Sequence, residues 1–210
     1  MIYLIITASI NNKFGSTVDS QRIQRYIDAI SDTLKHLPKS IIPLIVENNG
    51  KRETFLDNFT HCGKPVRVIY TNNNQFKAKS KGINEFLDVK EVIERTGIQL
   101  DDIIIKLTGR YRVLSPKFFE EIVENQTTND VFIKFFGTCS LKYEKYDCIL
   151  GMYAMRTMFL NLFNPNMIDN YESAEIGFAR YARFCGAKLK ELENLDLECC
   201  FSDDGRILIV

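Results

Sequence analysis

The first half of the chain alternates between two hydrophobic periods, and that alternation restricts the fold more than any other feature. Apolar runs at residues 2–6, 41–46, 66–70 and 103–107 are short and hydrophobic on both faces, as strands read when helices cover a sheet from either side. Between the first two, Ile23, Ile27, Ile30, Leu34 and Leu37 recur at spacings of four and three, and Pro38 stops the pattern. A second helix is expected from near Ser80 to Gly97, burying Ile83, Phe86, Leu87 and Ile93. A third begins with Ser115 as cap and Pro116 at the first helical position, and buries Phe118, Phe119, Ile122 and Val123. This order predicts an α/β fold, a Rossmann-like three-layer sandwich with a mostly parallel central sheet. The second half is less regular. Strands are expected at residues 131–136 and 149–155, a helix at 173–183, and closing strands at 195–200 and 206–210.

A length of 210 residues suits a single domain spanning residues 1–210. Its 27 Lys and Arg balance 27 Asp and Glu, so the chain lacks the basic excess of proteins that coat nucleic acid or anionic membranes. No nucleic-acid partner is expected, and any anionic ligand must be held by a local cluster of cations. The apolar opening has no basic flank and stops short of the ~18–20 residues of a membrane span, so no transmembrane segment and a cytoplasmic location are expected. Six cysteines without a CxxC pair or a histidine at metal-ligand spacing read as reduced, mostly buried thiols.

In parallel sheets ligands bind at the carboxyl ends of the strands. Here those ends are all polar: Thr7-Ala8-Ser9, Glu47-Asn48-Asn49-Gly50, Thr71-Asn72-Asn73-Asn74, and Lys106 to Arg110. Two nearby segments concentrate positive charge. Lys77-Ala-Lys79-Ser-Lys81-Gly82 precedes a helix N-terminus, where backbone N–H groups also favour an anion. In Lys106-Leu-Thr108-Gly109-Arg110-Tyr-Arg112, a strand period of two places Lys106, Thr108, Arg110 and Arg112 on one face. That face reads either as a seat for a diphosphate or as a solvated hairpin surface. A P-loop is excluded because GxxxxGK[ST] is absent, and no GxGxxG follows a strand.

The order of these segments resembles the GT-A class of nucleotide-sugar glycosyltransferases, particularly the inverting ones, over most of the chain. Ile5-Ile-Thr7-Ala8 resembles the opening strand that meets the nucleotide, and Ile45-Val-Glu47-Asn48-Asn49-Gly50-Lys51 is similar to the second-strand motif that contacts base and ribose. Lys79-Ser-Lys81-Gly82-Ile-Asn84 resembles the start of the helix lining the donor site. Residues 103–119 are similar to the fourth strand, its metal motif and the Pro-initiated helix that follows, and residues 174–189 to the acidic helix that carries the base. The Lys106-Leu-Thr108-Gly109-Arg110-Tyr111 segment is also similar to glycosyltransferases of large DNA viruses and bacterial surface-polysaccharide loci.

The resemblance implies a GT-A-like fold and transfer of a hexosyl or deoxyhexosyl group from UDP or another nucleoside-diphosphate sugar to a glycan or glycoprotein hydroxyl. A donor-binding half would run to about residue 115, and an acceptor and catalytic half from about 116 to 210. It implies donor contacts from Thr7, Ala8, Glu47, Asn48, Asn72, Lys79, Lys81, Thr108 and Gly109, and catalytic roles for Glu175, Arg110 and Lys106.

The chain departs from the class where Asp-x-Asp would hold Mn²⁺ or Mg²⁺. It has Thr108-Gly109-Arg110, and a guanidinium repels a hard cation that needs carboxylate oxygens. Either Lys106 and Arg110 replace the metal against the departing diphosphate, which is the preferred reading, or Mn²⁺ or Mg²⁺ binds elsewhere. The best alternative pair is Asp203-Asp204, although Ser-Asp-Asp-Gly also reads as a turn. For the base, Glu175 shares a helix face with Phe178, Ala179 and Ala182, where a carboxylate is costly unless used or paired. It equally fits the acidic first turn that a helix dipole favours. The second acidic residue of the class is Ile176 here. Two other functions stay open: a binding module that kept the crevice without turnover, and another α/β nucleotide enzyme such as a nucleotidyltransferase, whose glycine-rich N-terminal signature is absent.

Overall fold

A computed structural model describes residues 1–10, 20–75, 81–135, 147–165, 173–200 and 206–210. Its strands in chain order are β1 (Ile2–Ala8), β2 (Ile41–Glu47), β3 (Thr60–His61), β4 (Lys64–Pro65), β5 (Arg67–Tyr70), β6 (Ile103–Thr108), β7 (Arg112–Val113), β8 (Val131–Ile133), β9 (Met152–Arg156), β10 (Leu189–Glu191), β11 (Leu197–Cys200) and β12 (Ile207–Ile209). The helices are α1 (Ser20–His36), α2 (Lys81–Thr96), α3 (Lys117–Asn125), α4 (Thr157–Leu162) and α5 (Ala174–Phe184).

Seven strands form the central sheet in the order β10-β8-β9-β6-β1-β2-β5. The β6-β1-β2-β5 block is parallel, as is β10 with β8, whereas β9 runs antiparallel to both neighbours. Strands β12, β11 and β7 make a small second sheet, and β3 with β4 a hairpin. The two-sided hydrophobicity of the runs is used as expected. Leu4, Ile6, Ile45, Ile105 and Leu107 join one core with Tyr26, Ile30 and Leu34 of α1 and with Phe118, Phe119 and Ile122 of α3. Ile5, Leu44, Val46 and Ile104 join the other with Phe86, Val89 and Val92 of α2, Leu160 of α4 and Phe178 of α5. Helices therefore cover both faces, and the three-layer α/β sandwich is present.

The structure differs from the periodicity in a few places. The centre of the α1 stripe is Tyr26, 0% exposed, with Ile23 and Ile27 only partly covered. Leu87 lies on the solvent side of α2, because the buried stripe runs through Phe86, Val89, Val92 and Ile93 instead. Helix α3 starts one residue late, at Lys117. Pro116 already has helical dihedrals there, and the Ser115 hydroxyl donates to Asp196 at 2.6 Å rather than acting as a strong cap. Among the described residues no helix is long and apolar enough to cross a membrane, and Cys62, Cys185, Cys199 and Cys200 are free thiols.

Candidate functional site

Parallel pairing brings the carboxyl ends of β5, β2, β1 and β6 to one edge of the sheet. The loops leaving that edge are bound to one another. Asn48 N–H donates to Ala8 O at 3.2 Å, Asn74 N–H to Asn48 O at 3.1 Å and Gly50 N–H to Thr71 O at 2.8 Å. Side chains continue the network: Asn74 donates to Asn49 Oδ1 at 2.6 Å and to Ser9 Oγ at 3.3 Å. Gly50 has a left-handed φ of 71°, and a Cβ there would come within 2.2 Å of Asn72 Oδ1, so glycine lets the Asn72 amide lie against the turn.

Two carboxylates hold this edge from below. Glu47, 0% exposed, accepts from Ile10 N–H and Asn49 N–H, each at 3.1 Å, and from the Asn49 amide. Burial raises its pKa against those hydrogen bonds. Asp88 of α2, also 0% exposed, accepts from Asn48, Thr71 and Asn73, each at 2.8 Å. Burial pushes its carboxyl up to about 7, with Glu85 adding repulsion.

Beyond β6 the chain turns, with Tyr111 N–H donating to Thr108 O at 2.8 Å. This turn ends the period-two alternation, so the four polar side chains do not share a face. Lys106 and Thr108 point towards α2, where Lys106 pairs with Glu85 and also donates to Thr108 Oγ1 at 2.7 Å and Leu150 O at 3.1 Å. Thr108 donates to the same Glu85 Oε2 at 2.9 Å. Burial opposes the charge on Glu85, but Lys106, Arg110 and Thr108 together outweigh it and the carboxyl pKa falls below its usual value. Arg110 instead turns to α1, with Nη1 donating to the Tyr26 hydroxyl at 3.2 Å and the guanidinium 5.9 Å from that ring's centre. Arg112 leaves this edge altogether: it sits on β7, half exposed, and pairs with Asp32 of α1 at 2.5 Å.

Arg110 has a buried Nε without a hydrogen-bond partner among the described residues. Burial lowers its pKa, but Tyr26 and Glu85 more than compensate, so it stays charged. A second guanidinium joins it from α1: Arg22 donates to Ser9 O at 3.0 Å and lies 5.5 Å from the Tyr26 ring centre. Arg22, Tyr26, Glu85 and Asp88 are the site residues that sequence reasoning missed. A polar residue inside an otherwise apolar helix stripe was the available signal for Tyr26 and Asp88, whereas nothing local marks Arg22 or Glu85.

Of the expected donor contacts, Thr7, Ala8, Glu47, Asn48 and Thr108 are buried, and Asn72 is exposed. Gly109 N–H donates to Thr7 O at 2.8 Å, and a Cβ there would meet Thr7 O at 2.9 Å and the Tyr26 ring at 3.2 Å, so it serves close packing between β1 and α1. Glu175 is half-buried in the first turn of α5, beside the buried Ala174 and Phe178. Ser173 caps that helix, accepting from Ile176 N–H at 3.2 Å. Lys79, Asp203, Asp204 and the side chain of Lys81 lie outside the described residues. For a divalent cation at the end of β6, Thr108-Gly109-Arg110 offers no carboxylate and Glu85 is taken by Lys106, so the groups present there do not fit one. Among the described residues no cluster of three His, Cys, Asp or Glu side chains could hold a metal ion.

Neither a protein-family profile nor a curated protein matches the sequence. Solved structures do match the fold. A protein assigned as a nucleotide-diphospho-sugar transferase from Desulfovibrio desulfuricans aligns with a TM-score of 0.58 at 10% identity, over 91% of this chain and 79% of that one. This chain has the fold of nucleotide-diphospho-sugar transferase-like proteins. The same architecture aligns with 4-diphosphocytidyl-2C-methyl-D-erythritol synthase from Anaerococcus prevotii (TM-score 0.55, 11% identity, 91% of this chain and 86% of that one). It also aligns with S. aureus TarS (0.54, 12%, 91% and 57%). At these identities the likeness concerns the fold.

Proposed function

We propose that the chain transfers a sugar from a nucleoside-diphosphate donor to a hydroxyl of a carbohydrate or glycoprotein acceptor. The observation that carries this reading is Arg110: a charged, largely buried guanidinium with an unpartnered Nε at the carboxyl end of β6, in the position where the resembling class holds the diphosphate. A cation already desolvated and oriented stabilises charge developing on a leaving diphosphate without reorganisation. Arg22 adds positive charge from α1. Lys106 acts through Glu85, because its ammonium already donates to three acceptors. Glu175 is the proposed base for the acceptor proton, with inversion at the transferred carbon.

Thermal shift with UDP, GDP and CMP sugars, with and without Mn²⁺, tests the donor site, and a rise in melting temperature without metal is expected. Arg110→Ala should lower turnover about 10²–10³-fold with an unchanged circular dichroism spectrum, and Glu175→Gln should lose transfer while keeping donor binding. Wild-type rates in either variant would remove that residue from the mechanism. Since the fold also matches a diphosphocytidyl synthase, CTP with a sugar 1-phosphate belongs in the same screen. Pyrophosphate release without sugar transfer would replace this reading.

A further inference from the structure

The Lys106–Glu85 pair forms the polar end of a small pocket between β6, β9 and the first turns of α2 and α5. Its walls come from Ile83, Phe86, Leu150, Phe163, Ala174 and Phe178. Ring centroids lie 4.8 Å apart for Phe86 and Phe163, 5.2 Å for Phe163 and Phe178, and 4.5 Å for Tyr153 and Phe178, which makes the apolar wall stiff. The free volume is about 20 Å³, on a scale where one water needs about 10–15 Å³, so the cavity admits one methyl-sized group.

Two polar atoms at this pocket are unused. Tyr153 is cross-strand partner to Lys106 and only 2% exposed, yet its hydroxyl makes no hydrogen bond with the described residues. Glu85 Oε2 takes both the Lys106 and Thr108 hydrogen bonds, leaving Oε1 without one. Both residues line the pocket, so these two atoms can bond a ligand group that enters it. That group is not an anion, since the donors of Lys106 are spent and the Glu85 carboxylate repels negative charge.

Taking the crevice as a donor site, as proposed above, we infer that this pocket selects a neutral donor sugar carrying a methyl-bearing substituent. The methyl enters the apolar cavity, an adjacent N–H or O–H donates to Glu85 Oε1, and an adjacent oxygen accepts from the Tyr153 hydroxyl. An acetamido group and the methyl end of a 6-deoxyhexose share this chemistry. Glu85 joins the pocket to the diphosphate seat: it lines the cavity and lies within the field of Arg110.

Isothermal titration tests this with bare UDP and GDP first, then with UDP-N-acetylglucosamine against UDP-glucose, GDP-D-rhamnose against GDP-D-mannose, and UDP-glucuronate. The methyl-bearing member of one pair should bind about tenfold more tightly than its counterpart, and the pair that shows it identifies the substituent. The glucuronate donor should bind more weakly than bare UDP. Ala174→Val, which fills the cavity, should bring the preferred pair's affinity ratio close to one. Because the readout is a ratio, a general loss of binding cancels, and the melting curve shows whether the variant is folded. Tyr153→Phe should reduce the same ratio. If a nucleotide binds but both members of each pair bind alike, or glucuronate binds best, the pocket inference falls and the donor-site reading stands. If neither nucleotide binds, both fall.

Discussion

Lys106 shows how much a single side chain's surroundings matter. From its position on β6 it is a candidate phosphate ligand, yet at 3% exposure it is bound to Glu85, Thr108 and a backbone carbonyl. Glu85, with about a quarter of its side chain still exposed, loses less than a fully buried partner would. Lys106→Met should therefore destabilise the fold by about 3 kcal/mol, the low end for breaking a buried pair, read as a lower urea midpoint. Adding Glu85→Gln should recover part of that loss, since the uncompensated carboxylate is removed, with a coupling of about 1–3 kcal/mol. Additive losses would mean that the two groups do not stabilise each other. Arg110 has the opposite history: its chain position promised a face shared with Lys106, and the turn after Thr108 delivers it to Tyr26 instead.

At the scale of elements, Asp88 is the joint between α2 and the loops leaving β2 and β5. Its pKa is raised from 3.8 to about 7, so between those values the native chain keeps a proton that the unfolded chain has lost. Its contribution to stability therefore declines as pH rises from about 4 to about 7, and the cost is full above that. Glu47, also raised, acts in the same direction. Asp32, Asp130 and Glu85 have lowered values; they stabilise above the unfolded carboxylate range and lose that contribution as pH falls through their native values. An NMR titration should find the Asp88 carboxyl carbon turning over near pH 7, and Asp88→Asn should flatten the stability profile between about pH 5 and 7.5. A midpoint near 4 would show that the hydrogen bonds fully offset burial.

For the whole molecule, the second half of the chain is not a separate layer. Strand β9 pairs with β6, and β8 and β10 extend the same sheet, so both helix-covered cores draw on both halves of the sequence. Unfolding should accordingly be a single transition with equal calorimetric and van't Hoff enthalpies, and two resolved transitions would show that the two halves of the chain unfold separately. The sequence by itself determined the class of fold, because strands hydrophobic on both faces and helices with a 3.6-residue stripe leave few ways to bury both. It also located the polar edge of the sheet, since parallel strands must end together and each of their ends is polar. The tertiary structure alone decided which charges are available. Whether Lys106 is spent on Glu85, whether Arg110 meets Tyr26 and whether Tyr153 faces a cavity depend on contacts between elements far apart in the chain, and local periodicity carries no record of those distances.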